Sequence, residues 1–156
     1  MAILLRGKTE CRICGDVIKD GDEVILFPHV VLNEADPLYS LSDAACHRRC
    51  VESDVLGARM MGLSTQFQAN SGPGKRTCAV CGSQVGTPDD YLFIGYLGDG
   101  SDEPLGQFNY THLHKSHIST WKEAGRFLSL AKDAIASGKW QGSALAEIVR
   151  EIEANM

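Results

Sequence analysis

The sequence has no apolar run long enough to cross a membrane and no excess of basic residues. No stretch approaches the ~18 apolar residues that a membrane helix needs, and 20 acidic side chains stand against 15 basic ones. This balance disfavours a protein whose main task is to grip a phosphate backbone. The apolar stretch after Met1 is short and no cleavage region follows it, so we expect no signal peptide. These features predict a cytoplasmic protein that does not enter a membrane.

Cysteine and histidine, in contrast, are plentiful. The 156 residues include 6 cysteines and 5 histidines in a chain that is 44% hydrophobic and 22% charged, which is an ordinary globular composition. The length allows one domain or two small ones. Secreted disulfide proteins and intracellular metal proteins can both be rich in cysteine, so the spacing of these residues has to separate the two classes.

The cysteines and histidines recur at a fixed offset of sixty-seven residues. Each copy begins with Cys-x-x-Cys-Gly, and a second pair follows after thirty-two residues, His-x-x-Cys in the first copy and His-x-x-His in the second. Several glycine, proline and apolar positions match in the same register, as do Asp22 and Asp89. Chance does not produce such a register, so we infer an internal duplication.

Each copy therefore supplies four candidate zinc ligands in two pairs. Zinc binds four nitrogen or sulfur donors at the corners of a tetrahedron. Two residues between the cysteines let a tight turn, or knuckle, aim both sulfurs at one ion, and the second pair fits one face of a helix's first turn. The competing interpretation, two redox Cys-x-x-Cys motifs, leaves the histidine pairs and the repeat unexplained. The predicted ligands of two structural zinc ions are Cys11, Cys14, His47 and Cys50, and Cys78, Cys81, His114 and His117.

Cys46 and His112 are left over beside these ligands. Cys46 precedes His47 and matches the apolar Leu113 of the other copy, which favours a buried thiol over a reactive one or an alternate ligand. His112 matches Ala45. It is interpreted as an alternate ligand or a solvated histidine, and we favour the solvated one.

Both copies are predicted to fold in the same order: a knuckle, two or more short strands, and a helix that begins at the second ligand pair. The predicted strands are 23–27, 38–41, 91–96 and 106–110, and the predicted helices are about 47–63, 114–137 and 143–154. The predicted organisation is a first zinc module at 1–67, a flexible linker at 68–74, a second module at 75–138, and a C-terminal helix at 139–156 that packs on the modules.

A knuckle, a hairpin and a helix that starts with the second ligand pair resemble the treble-clef zinc fold of LIM, HNH and related zinc-finger domains. The resemblance covers almost all of both copies. It implies an α+β fold of two tandem treble-clef-like modules plus a C-terminal helix. The interval between the ligand pairs is longer than that of a LIM half-site, so we expect an elaborated hairpin.

Three functions are compatible with these features. The favoured one is a non-enzymatic protein-binding module, such as an adaptor, a regulator or an inhibitor or immunity-type protein, with an acidic surface that attracts a basic partner. The second is a nucleic-acid-binding zinc-finger protein, disfavoured because neither half of the chain is basic. The third is an HNH-type metal-dependent nuclease, whose Asp-His pair and Asn-rich segment are missing; residues 110–114 are the nearest match. We predict no catalytic residue, zinc as the cofactor and another protein as the partner.

Overall fold

The computed structural model of the chain describes residues 2–72, 74–99 and 103–156. The chain divides into two compact units, Met1–Gln66 and Phe67–Met156, which we call the first and second units. Each combines helices with a small antiparallel sheet of two strands, so the fold is of the α+β type. In the described part of the chain, every helix is too short or too polar to span a membrane.

The first unit is built around a two-stranded hairpin that follows the first knuckle. Strand β1, Val24–Leu26, pairs antiparallel with β2, Ala45–His47, and Val24 lies opposite His47. The connection between the strands contains a 3-10 helix, Pro37–Leu41. After β2 the chain forms helix α1, Arg48–Ser53, and helix α2, Val55–Ser71, whose residues from Phe67 onward belong to the second unit. The hairpin therefore delivers His47 directly to the start of α1.

The second unit repeats this order and adds a final helix. Strand β3, Tyr91–Ile94, pairs antiparallel with β4, Thr111–His114. Helix α3 spans Ala124–Ala136 and packs against helix α4, Ala144–Ala154. The unit's 3-10 helices are Pro88–Asp90, Pro104–Phe108 and Lys115–Thr120. The ammonium of Lys132 lies 2.6 Å from the Glu153 carboxylate and joins α3 to α4.

The backbone repeats at the offset seen in the ligands. The 3-10 helices Pro37–Leu41 and Pro104–Phe108 are sixty-seven residues apart, and so are Asp43 and Tyr110, with φ angles of 59° and 60°. Positive φ is rare in residues other than glycine, so its recurrence at equivalent positions indicates one backbone conformation used twice. Among the described residues, helix α4 and the short 3-10 helix Pro88–Asp90 have no counterpart in the first unit.

The second strand of each hairpin lies later in the chain than the sequence predicted. Residues 38–41 and 106–110 were expected to be strands, but 3-10 helices occupy most of these segments and the strands are β2 and β4. Pro37 and Pro104 explain the difference. Proline at the first position of a helical turn has the right φ, and it has no N–H to donate to a β-ladder.

The helices also depart from prediction. The expected helix at 47–63 is broken at Asp54, whose φ and ψ of −106° and 133° are extended. Helix α2 continues to Ser71, so residues 68–71 of the predicted linker are helical; Pro73 lies outside the described residues. In the second unit α3 begins at Ala124 and not at His114, because the chain is extended at Trp121 (φ −73°, ψ 108°), whose ring is buried against Phe108 at 6.0 Å between centroids.

Two glycines of α2 provide a matched test of the packing between α1 and α2. A Cβ at Gly57 would lie 2.7 Å from the Val51 carbonyl oxygen and 2.9 Å from its Cα, whereas a Cβ at Gly62 would meet no atom within 4 Å. Since backbone atoms cannot move aside cheaply, we expect Gly57→Ala to destabilise the protein by about 1–3 kcal/mol. Gly62→Ala should stabilise it by about 0.5–1 kcal/mol. Urea denaturation of the metal-loaded protein measures both, and changes of the same sign would contradict the packing described.

Candidate metal centres

The first candidate centre, which we call the first cluster, unites the knuckle with the end of the hairpin. Cys11 and Cys14 come from the knuckle, His47 ends β2, and Cys50 lies in α1; all four donor atoms lie within 4.8 Å of one another. Nδ1 of His47 is 3.5 Å from the sulfur of Cys14 and 3.9 Å from that of Cys50. A tetrahedral zinc ion with bonds of ~2.0 Å to nitrogen and ~2.3 Å to sulfur requires donor separations of about 3.5–3.8 Å. The first cluster can therefore hold one such ion.

Backbone hydrogen bonds shape this knuckle. Gly15, with a φ of 80°, donates its N–H to the Cys11 carbonyl at 2.8 Å, and the Cys11 N–H donates to the Asp16 carbonyl at 2.8 Å. A residue with a Cβ would be strained at this φ. The N–H of His47 points at the Cys11 sulfur from 3.3 Å. The turn thus holds both cysteines in place and brings a backbone donor to one of them.

The second cluster has the same construction with one ligand changed. Its members are Cys78, Cys81, His114 and His117, again with donor atoms within 4.8 Å of one another. Nδ1 of His114 lies 3.7 Å from the Cys81 sulfur, and Nδ1 of His117 lies 3.9 Å from the Cys78 sulfur. The structure thus brings together all eight residues that the sequence singled out as ligands, in the two sets of four that the repeat predicted.

The thiol pKa values suit a site that receives a cation. Burial opposes ionisation of Cys11, but N–H donors from Cys14, His47 and Ile13 outweigh it and lower its pKa to about 6. The same balance at Cys78, with His114 as its main donor, lowers that pKa to about 5. Burial and the neighbouring Cys14 sulfur instead raise the pKa of Cys50 to about 11. Since a cysteine must be a thiolate to bind a metal, Cys50 becomes a ligand only when the ion displaces its proton.

The two clusters differ in the carboxylates that support them. Nε2 of His47 donates to the Asp22 carboxylate at 3.2 Å, an arrangement that fixes the ring of a metal-binding histidine. The Lys19 N–H and His47 lower the pKa of Asp22. In the second cluster Asp90 instead accepts hydrogen bonds from the N–H and hydroxyl of Ser116, at 2.8 and 3.0 Å. No carboxylate among the described residues accepts a hydrogen bond from the His114 ring.

The role of Asp22 can be tested against Asp89, its equivalent in the repeat, which is exposed. We expect Asp22→Ala to lower the metal affinity of the first cluster about 10–100-fold, because the His47 ring loses its partner. Asp89→Ala should leave both affinities unchanged. Competition with a chromogenic chelator measures each affinity. Equal effects of the two substitutions would show that the Asp22–His47 contact does not support the metal.

Cys46 lies beside the first cluster without joining it. Its side chain is 0% exposed. Burial, and then the neighbouring Cys11, raise its pKa to about 11. The prediction of a buried thiol at this position is confirmed.

His112 is not solvated, contrary to the favoured interpretation, and it is not part of the second cluster. It is 5% exposed, and its ring stacks on that of Phe93 with centroids 4.7 Å apart. Nδ1 accepts from the Tyr91 hydroxyl at 2.8 Å, and Nε2 donates to the Asn70 carbonyl at 2.9 Å. Both ring nitrogens are therefore engaged, and neither is left to bind a metal. Ala45, which occupies the equivalent position in the first copy, is also buried. The position is therefore an interior one in both copies.

Substitution of His112 separates a packing role from a ligand role. His112→Ala should destabilise the second unit by about 2–4 kcal/mol, since a stacked ring and two buried hydrogen bonds are lost. The metal content should stay at that of the unsubstituted chain. Tyr91→Phe removes one of the two hydrogen bonds and should cost about 1 kcal/mol. If His112→Ala removes one metal ion per chain while the fold persists, the packing assignment is wrong.

Comparisons with protein-family models, with curated proteins and with solved structures gave no match. The class of the protein is therefore defined by its own features. It is an α+β chain with two similar Cys/His clusters, each able to hold a metal ion.

Proposed function

We propose that the chain is a zinc-stabilised, non-enzymatic protein-binding module built from two treble-clef-like domains. The observation that carries the metal assignment is the convergence of four sulfur or nitrogen donors in each cluster. Cys3His and Cys2His2 sets with tetrahedral spacing are typical of structural zinc. The knuckle, the hairpin and the ligand at the end of each hairpin support the treble-clef comparison.

A structural role for the zinc follows from the number of donors. Catalytic zinc sites use three protein ligands and leave a fourth position to water or substrate. Each cluster here offers four protein donors, which fill the tetrahedron. Because protein donors fill all four coordination positions, the metal stabilises the fold, and the surface of the protein carries its function.

The charge supports a protein partner over a nucleic acid. The formal net charge is −5, which attracts basic surfaces and repels phosphate backbones. Two of the cations near the first cluster are engaged within the chain: Arg48 lies 3.0 Å from the Glu23 carboxylate, and Nε of Arg12 donates to the Ser40 carbonyl at 3.0 Å. The nuclease alternative would need His112 as its general base, and both nitrogens of that ring are engaged.

The proposal is tested by affinity capture with the zinc-loaded, immobilised chain and quantitative identification of what binds. We expect a specific basic protein that is recovered by the zinc-loaded chain and lost when the metal is stripped. Labelled DNA and RNA should show no binding at low salt, and plasmid DNA should stay uncut with added magnesium or manganese. Binding that falls steeply with salt would favour the nucleic-acid alternative, and cleavage would favour the nuclease.

A further inference from the structure

The second unit carries an apolar groove that the metal clusters do not use. It has a volume of about 480 Å³ and lies between the start of the 3-10 helix Pro104–Phe108, the outer face of α3 and the segment that leads to α4. Its apolar lining comes from Leu105, Leu130, Ala134 and Trp140, and we call it the Trp140 groove. Its size is within the usual range for ligand-binding clefts.

The edge of the Trp140 groove is more acidic than basic. The carboxylates of Glu103 and Asp133 line it, together with one ammonium group, that of Lys139. Both acidic residues are exposed. An apolar centre inside a charged edge is the usual anatomy of a protein interface.

A second observation concerns the indole of Trp140. The residue is 5% exposed, and its Nε1 is buried without a hydrogen-bond acceptor among the described residues. Buried donors almost always have a partner, because an unpaired one loses its hydrogen bond to water without compensation. Phenylalanine would pack here without that penalty, so packing alone does not account for a tryptophan at the wall of the groove.

We propose that the Trp140 groove binds a peptide segment of a partner protein in which an apolar side chain lies next to lysine or arginine. The apolar side chain contacts Leu105 and Leu130 beside the Trp140 ring, and the cation pairs with Glu103 or Asp133. This inference rests on the proposed protein-binding function and assigns the surface that performs it.

The probe is a random peptide library displayed on phage and selected on the zinc-loaded chain. We expect the recovered peptides to be enriched in apolar residues beside lysine or arginine. Synthetic copies should shift the indole N–H signal of Trp140 in ¹H–¹⁵N spectra, while the signal of Trp121, assigned with Trp121→Phe, stays in place. Asp133→Lys should weaken binding about 10-fold or more, since a favourable charge pair becomes a repulsive one. Asp89→Lys, at an exposed acid outside the groove, is the matched control.

Three results would overturn the inference: peptides without basic residues, an unmoved Trp140 signal, or equal binding by the Asp133→Lys and Asp89→Lys chains. A concentration-dependent dimer that Asp133→Lys abolishes would assign the groove to a second copy of the chain and also overturn it. Metal content and circular dichroism verify that each variant is folded. If affinity capture recovers a partner that Asp133→Lys still binds, the groove assignment fails while the protein-binding function stands.

Discussion

Removal of the metal is expected to unfold both units. A core of this size supplies only ~3–5 kcal/mol, whereas zinc contributes an apparent ~10–16 kcal/mol in zinc-finger peptides at neutral pH. Without the ion, three thiols and a histidine of the first cluster face one another with no cation to hold them together. Addition of a strong chelator should therefore abolish the near-ultraviolet circular dichroism and the cooperative thermal transition, and added zinc should restore both.

The two units can be followed separately in that experiment. Both tryptophans, Trp121 and Trp140, belong to the second unit and are buried, so their fluorescence reports on it alone. Amide exchange at Val51 and Met60, which are 0% exposed, reports on the first unit. The same chelator saturated with zinc, which has no capacity to remove the metal, is the control. A chain that keeps its tertiary signals and its transition without metal would contradict a structural role for the ion.

Loss of one ligand should halve the metal content, whereas loss of the neighbouring thiol should not. Cys50→Ser removes a sulfur donor of the first cluster, and a serine hydroxyl does not replace a thiolate. We expect this variant to bind one metal ion per chain and to have an unfolded first unit. Cys46→Ala should keep the full metal content and cost about 1–3 kcal/mol, because it only removes a buried sulfur from the interior.

Cys46 and Cys50 are a matched pair for this comparison. Each has a raised pKa, and they are four residues apart in the chain. Metal content per chain and circular dichroism at neutral pH distinguish the two outcomes. A Cys46→Ala chain that loses an ion would mean that Cys46 is a ligand. A Cys50→Ser chain with full metal content would remove Cys50 from the cluster.

The ligand positions were predictable because metal chemistry restricts both residue type and spacing. The sequence contains the same arrangement twice at one offset: Cys-x-x-Cys, then His-x-x-Cys or His-x-x-His. This repeat predicted which residues would converge, and the structure brings them together. The register of the repeat also contained Asp22, but its role could not be assigned. Its contact with the His47 ring depends on how β1 and β2 pair, which the sequence does not specify.

The hairpins were harder to predict because their strands are very short. Strand β2 has three residues, too few for an alternating pattern to emerge. The apolar segment after Pro37 resembled a strand, but it forms a 3-10 helix, and the two leucines of that helix are buried. The apolar spacing also predicted two long uninterrupted helices. The first is broken at Asp54, and the second begins only after Trp121. The break at Asp54 is local, because its carboxylate accepts from the Gly57 N–H at 2.7 Å and caps α2. At Trp121 tertiary packing decides the backbone conformation.

The metal content of the purified chain tests the central claim most directly. The protein should be prepared under reducing conditions without a chelator and measured by native mass spectrometry together with elemental analysis. We predict two zinc ions per chain, one in each Cys/His cluster, and one ion in the Cys50→Ser chain. A folded chain that contains no metal, or that carries a disulfide between Cys11 and Cys14 or between Cys78 and Cys81, would contradict the account.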